Sequence, residues 1–218
     1  ARYLDARLRS IFAQSHPLLE IVVLDDASTD DSLAVAETTA QACGRRIGLH
    51  ANRHNSGSVF RQWRQAARMA RGAWLWIAEA DDAAEPGMLA ALDDALDRAP
   101  QAVMAFCDSR SIDAEGRVTG DSYKPYYAEA VGTMLDHDGI FDGQAFVREA
   151  LGERNLVLNA SAVLFRRDAL LAALEACADD LEHLRMAGDW RVYLALLDAG
   201  AHWHDSAAAA AAQADFVF

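Results

Sequence analysis

Positive charge is scarce in this chain. Twenty lysines and arginines stand against 33 aspartates and glutamates, for a formal net charge of −13. A surface that acidic argues against nucleic-acid binding. It leaves phosphate-bearing small molecules open, because a bound cation can bring the missing charge. Lysine is almost absent: Lys124 is the sole one, and it falls in a stretch that reads as loop. That disfavours a receiver-type phosphorylation domain, which wants a phospho-accepting Asp on one strand end and a Lys on a later one. Cysteine is sparse too. Cys43, Cys107 and Cys177 are widely spaced, make no metal-binding pattern and fit a reducing cytoplasm. No apolar run approaches the roughly 20 residues of a transmembrane helix. The opening Ala1-Arg2-Tyr3-Leu4-Asp5 is polar rather than signal-like. No internal repeat is visible. What the chain has in quantity is hydrophobic side chains, 52% of 218 residues. That suffices for a sizeable core in one α/β domain, with or without an appendage.

The informative stretch is Ala73 to Asp82, Ala-Trp-Leu-Trp-Ile-Ala-Glu-Ala-Asp-Asp. Ala73 to Ala78 is apolar on both parities, which predicts a strand buried on both faces. Glu79, Asp81 and Asp82 then crowd three carboxylates at its carboxyl end. Ligands of open α/β sheets bind at the carboxyl ends of strands. Hard cations such as Mg²⁺ and Mn²⁺ take such oxygen ligands, often shared with substrate phosphates. The competing interpretation is a solvated acidic turn ahead of the helix that starts near Pro86.

Along the chain, apolar spacing predicts a helix over residues 2–13 and a strand over 20–24 that delivers Asp25 and Asp26 to its end. Ala27-Ser28-Thr29-Asp30 is a capping turn. A helix over 31–43, a weak strand over 47–50 and a polar loop over 52–57 follow. The next helix carries Val59, Trp63, Ala66, Ala67 and Ala70 and stops at Gly72. Past the organising strand come a helix from Pro86 through Leu96, a strand over 103–107 and a hairpin turning at Asp113-Ala114-Glu115-Gly116. Residues 119–142 read as a long loop. A helix over 143–151, a strand over 161–165 and helices over 167–177 and 189–199 complete the body. His202 and His204 flank Trp203 in a strand pattern. The alanine run 207–212 has no interpretable pattern. Strands alternate with helices through the first half, so a largely parallel sheet is expected. It would put the Asp25-Asp26 and Asp81-Asp82 pairs on one edge. Arg61 and Arg64 could meet a diphosphate, although arginines on an arginine-rich helix are more often merely solvated. Trp190 could line a site, although its helical spacing favours core burial.

Several stretches jointly resemble family 2 glycosyltransferases of the GT-A fold. They are Tyr3-Leu4-x-x-x-Leu8-x-Ser10-Ile11-x-x-Gln14, Glu20 to Asp30, Asn55-Ser56-Gly57-Ser58, Trp76 to Asp82, Asn159 to Arg166, and Gly188-Asp189-Trp190. The likeness covers roughly residues 2–200. It implies an α/β fold, a mixed and mostly parallel sheet flanked by helices. It implies a nucleotide-sugar-binding half over 1–110, an acceptor half over 111–206 and a tail over 207–218. The implied reaction is inverting transfer of a sugar from a nucleotide-diphosphate sugar to a glycan or lipid-linked acceptor, assisted by Mg²⁺ or Mn²⁺. Asp25, Asp26, Ser28, Asn55, Gly57, Arg61 and Asp81 would bind the donor. Glu79, Asp81 and Asp82 would hold the metal, and Asp189 would be the general base. The resemblance also implies bacterial cell-surface polysaccharide synthesis in the cytoplasm, with attachment to the inner membrane face expected only through regions absent from this sequence. Three departures stand out. The family's first strand has no match, Glu79 replaces the first Asp of an Asp-x-Asp motif, and Asp205-Ser206 with alanines replaces a basic His-containing segment. The alternative from another class is a catalytically silent GT-A-like domain that binds a partner or glycan within a larger protein.

Overall fold

The structure is a computed structural model describing residues 1–184, 186–203 and 215–217, with main chain alone for 199–203 and 215–217. The chain opens with α1 (Leu4–Phe12), β1 (Val22–Asp25), α2 (Ser32–Ala42) and β2 (Gly48–Ala51). β1 and β2 pair in parallel, Val22 opposite Gly48. That is the geometry a strand–helix–strand order dictates. Leu8, Ile11 and Phe12 of α1 bury against Ala36 and Ala40 of α2 and the inner face of these strands.

Then come α3 (Val59–Met69), β3 (Trp74–Trp76), α4 (Met88–Asp97) and β4 (Met104–Phe106). A two-stranded hairpin, β5 (Ser111–Ile112) and β6 (Val118–Gly120), leads to α5 (Lys124–Val131) and β7 (Ile140–Asp142). The rest is α6 (Gly143–Phe146), β8 (Val163–Arg166), α7 (Arg167–Ala176), α8 (Ala178–His183), α9 (Gly188–Trp203) and β9 (Asp215–Val217). A second sheet has the order β3-β8-β4-β9-β7. Its core contains Trp63, Phe106, Phe165 and Tyr193, the last two rings stacked with centroids 6.1 Å apart.

The pairing is less parallel than helix–strand alternation suggests. β8 lies antiparallel between β3 and β4, and β7 lies antiparallel to β9. β3 and β4 therefore do run parallel to each other, as their intervening helix requires. They are simply not neighbours, because a later strand is inserted between them. β1 and β2 form a separate sheet rather than extending this one. Trp74, Leu75 and Trp76 are half-buried rather than fully buried; side chains pack on both faces of β3, but among the described residues one of its edges has no strand beside it.

Residues 119–142 are not one loop. They contain the end of β6, all of α5 and β7. Pro125 sits in the first turn of α5, where a backbone N–H would have no acceptor within the helix and its absence costs nothing. Only Tyr127 of its eight residues is buried, too few for a readable stripe. The helix expected over 143–151 changes pitch to a π-turn at Val147–Leu151, where Gly152 N–H bonds Val147 at 2.8 Å. His202 and Trp203 belong to α9 rather than to a strand. The alanine run lies outside the described residues. Asp215–Val217 enters the sheet between β4 and β7. Among the described residues, no helix is long and apolar enough to cross a membrane.

Candidate active site

β1 ends in two carboxylates with different occupations. Asp25 is buried and accepts from Ser28 N–H at 3.0 Å, closing the turn after the strand. Ala27 takes φ +61° in that turn, a left-handed conformation costly for a residue with a Cβ. Asp26 accepts from Asn52 Nδ2 at 2.7 Å, Ser56 N–H at 2.8 Å, Ser56 Oγ at 2.7 Å and Gln62 Nε2 at 2.9 Å. Burial alone would raise its carboxyl. The Asn52 and Ser56 donors outweigh burial and hold it below the usual carboxylate range. Asn55 donates to the Asp26 carbonyl and accepts from Gly57 N–H at 2.8 Å, where Gly57 sits at φ +73°. Arg61 reaches the Ser56 carbonyl at 3.2 Å and Glu182 at 3.0 Å. The loop over 52–58 is thus clamped onto the end of β1.

The chain leaving β3 is anchored from the far side. Trp76 Nε1 donates to the Ser161 carbonyl at 2.7 Å, and Glu79 N–H donates to Ser161 Oγ at 2.9 Å. Asn159 caps the same turn by accepting from Ser161 N–H at 2.7 Å. Burial pushes the Glu79 carboxyl up, and the charges of Asp82, Asp81 and Asp189 push it further. Arg7 pulls the other way. Its guanidinium is 1% exposed, sits 4.8 Å from the Trp76 ring and, among the described residues, has no hydrogen-bond partner on any of its three nitrogens. Burial lowers its pKa against the pull of Asp82, Glu79 and Asp81.

Asp189 lies in the first turn of α9, just after Ala187 at φ +58°. It accepts from Asn155 Nδ2 at 3.3 Å. Glu79, Asp81, Asp82 and Asp189 all line one cavity of about 400 Å³, with Trp63, Tyr123 and Asn159 among its walls. Glu79 and Asp81 also line a second cavity of about 770 Å³, which reaches Asp25, Asp26 and Ser28. The two acidic strand ends therefore open into connected space. Among the described residues, no three His, Cys, Asp or Glu side chains converge closely enough to cage a metal ion. The donor set still suits a hard cation. Mg²⁺ is commonly held by one or two carboxylates, with substrate phosphates and water completing its shell. The mutual repulsion at Glu79 is what such a cation would relieve.

The family model described as Glycosyl transferase family 2 matches residues 1–154. The chain belongs to that family. Among solved structures, it superposes on Staphylococcus aureus TarS residues 1–349 in complex with UDP. That match has a TM-score of 0.62 and 18% identity, over 91% of this chain and 51% of that one. The complex of the same protein with UDP-GlcNAc gives 0.57 and 17%, over 78% and 43%. These matches show the GT-A fold. An uncharacterized protein of Sinorhizobium fredii, y4gI, is 27% identical over 145 residues, 65% of this chain and 16% of that protein. The chain thus spans about half the length of the TarS chain and a far smaller share of y4gI.

Sequence reasoning missed four residues at this family 2 site. Arg7 occupies the buried stripe Leu4, Arg7, Leu8, Ile11, and a charge at a stripe position is the signal that could have found it. Ser161 and Asn155 gave no pattern of their own. Tyr193 reads as ordinary core; its buried hydroxyl has no partner among the described residues, and burial, Asp189 and Glu79 push its pKa upward.

Proposed function

We propose that this domain transfers a sugar from a nucleotide-diphosphate sugar to a hydroxyl of a glycan or lipid-linked acceptor, with inversion. The observation that carries the reading is the meeting of Glu79, Asp81, Asp82 and Asp189 around one cavity, two of whose walls, Glu79 and Asp81, also line the cavity that reaches Asp25 and Asp26. The donor's nucleoside lies toward Asp25, Asp26 and Ser28, and its diphosphate toward Asp81. The TarS complexes with UDP and UDP-GlcNAc lend support for a donor of this class. Mg²⁺ or Mn²⁺ on Asp81, with Asp82 and Glu79 beside it, would neutralise the leaving diphosphate. Asp189 takes the acceptor's proton while the acceptor oxygen bonds the anomeric carbon. The carbon–phosphate-oxygen bond breaks and its electron pair leaves on the diphosphate. Asn155 holds the Asp189 carboxylate in place at the first turn of α9. The biological setting we infer is bacterial surface-polysaccharide synthesis on the cytoplasmic side.

The test is thermal melting with UDP or GDP and Mn²⁺. The native state should gain stability by linkage, and Asp81→Ala should remove the gain. An equal gain in the variant sinks the role of Asp81. No gain in either protein supports the second reading, a silent binding domain. One observation favours that reading: the Asp26 carboxylate is already taken up by four donors of its own chain.

A further inference from the structure

Gly188 has no room for a side chain. It is buried at the first residue of α9. A Cβ there would lie 2.4 Å and 2.6 Å from two carbons of the Phe60 ring, and 3.2 Å from Leu181 Cδ2. Non-bonded carbons sit best at about 3.5–4.0 Å. The ring is therefore about 1 Å too close for any residue but glycine. Gly188 is not in the left-handed region, so the contact, not the backbone conformation, is what demands it.

Phe60 cannot retreat from that contact. Its ring meets Trp63 edge-on, with centroids 5.3 Å apart. Trp63 is 3% exposed and is backed by Phe165 at 6.3 Å. Interiors this closely packed transmit a displacement rather than absorb it. The first turn of α9 is the partner that can move. Several fixed points hold it. Ala187 enters it at φ +58°, a strained conformation that persists only where the surroundings over-determine it. Trp190 Nε1 donates to the Leu151 carbonyl of the π-turn at 2.7 Å, and Asn155 Nδ2 donates to Asp189 at 3.3 Å. Phe60 ties the same turn to the other side of the cleft. Its neighbour Arg61 donates to the Ser56 carbonyl at 3.2 Å, and Ser56 is one of the residues that hold Asp26.

We propose that Phe60 is a positioning residue for Asp189: its ring, bearing on the bare Cα of Gly188, sets how far the Asp189 carboxylate stands from Asp81 and Asp82 across their shared cavity. Phe60, Gly188 and all three carboxylates line that cavity. Glycine at 188 is the condition for the contact. α3 starts from the loop clamped to Asp26, so the contact places Asp189 relative to the donor side of the cleft and not only within its own helix. The inference rests on the reading of Asp189 as the general base. A base must stand within hydrogen-bond reach of the hydroxyl it deprotonates, and a misplacement of about 1 Å can cost roughly 100-fold in rate.

The test is an exchange of sizes. Gly188→Ala adds the methyl, and Phe60→Leu in the same chain removes the ring carbons it would strike. The first readout is NMR of the Trp190 indole N–H and the Asn155 side-chain amide. Gly188→Ala should shift both signals and speed exchange of the indole proton at least about tenfold, as its bond to Leu151 opens more often. Adding Phe60→Leu should return both signals toward the parent, a coupling that only contact produces. The second readout is UDP release with UDP-GlcNAc and Mn²⁺ as the probe. Gly188→Ala should lower kcat roughly 100-fold at an unchanged KM for the donor, and the double variant should recover at least about tenfold. A Gly188→Ala chain that melts lower but keeps the parent signals at Trp190 and Asn155 would make the contact packing only and overturn the proposal. So would a double variant no better than the single one. Unchanged UDP release in Asp189→Asn would overturn the reading of the base and the proposal with it, whereas parent signals in Gly188→Ala overturn the proposal alone.

Discussion

Asp26 is the residue whose removal tests most. Its carboxylate gathers donors from Asn52, Ser56 and Gln62, three positions far from it in sequence. Each such bond contributes about 1 kcal/mol net, and the loop is half-exposed, so four together stabilise by roughly 2–4 kcal/mol. Asp26→Ala should therefore lower the melting temperature by about 4–16 °C, at 2–4 °C per kcal/mol. Asp26→Asn should cost far less. Its amide oxygen can still accept the three bonds made by Oδ1, and its NH₂ can donate to Ser56 Oγ, which is itself able to accept. The pH dependence has a definite sign. The carboxyl sits lower folded than unfolded. Its contribution is therefore full above the unfolded value of about 3.9 and fades as pH falls through the folded one. The acid limb of a stability curve should flatten in Asp26→Ala. The assay is calorimetric melting from pH 7 to pH 3 on the three proteins, with limited proteolysis of residues 52–58. An Asp26→Ala protein melting within 1 °C of the parent, with its loop still resistant, would refute the clamp.

Ala27→Gly should raise stability by about 0.5–1 kcal/mol, the left-handed penalty of about 1–2 less the added chain entropy of glycine; a lower melting temperature would count against the φ of +61°. Gly57→Ala should lose about 1 kcal/mol for the same reason, since nothing lies within 4 Å of the added carbon and only φ opposes it. Ser161→Ala should cost roughly 1–3 kcal/mol by leaving Glu79 N–H without its buried acceptor, and unchanged melting would show that water replaces the hydroxyl. Asp189→Asn should keep donor binding and cut turnover by roughly 10²–10⁴; near-normal turnover with a lowered melting temperature would make it structural only.

The site was legible where chemistry clusters in sequence, and hidden where it does not. Asp25-Asp26 and Glu79 to Asp82 announce themselves, because carboxylates directly after apolar runs have few structural uses. The parallel course of β1 with β2, and of β3 relative to β4, follows from the helices between them. β8 inserts antiparallel between β3 and β4 by contacts with Trp74 to Trp76 and Met104 to Phe106, and periodicity carries no trace of which strands become neighbours. Ser161 is a plain serine until Glu79 and Trp76 arrive from 82 and 85 residues away. Arg7 stands between these cases. Its stripe position is readable, yet the meaning of a buried arginine depends on what faces it. Here three carboxylates act on it from a distance and none bonds it. A cation so placed cannot both neutralise the Glu79–Asp82 cluster and satisfy its own donors without an added acceptor.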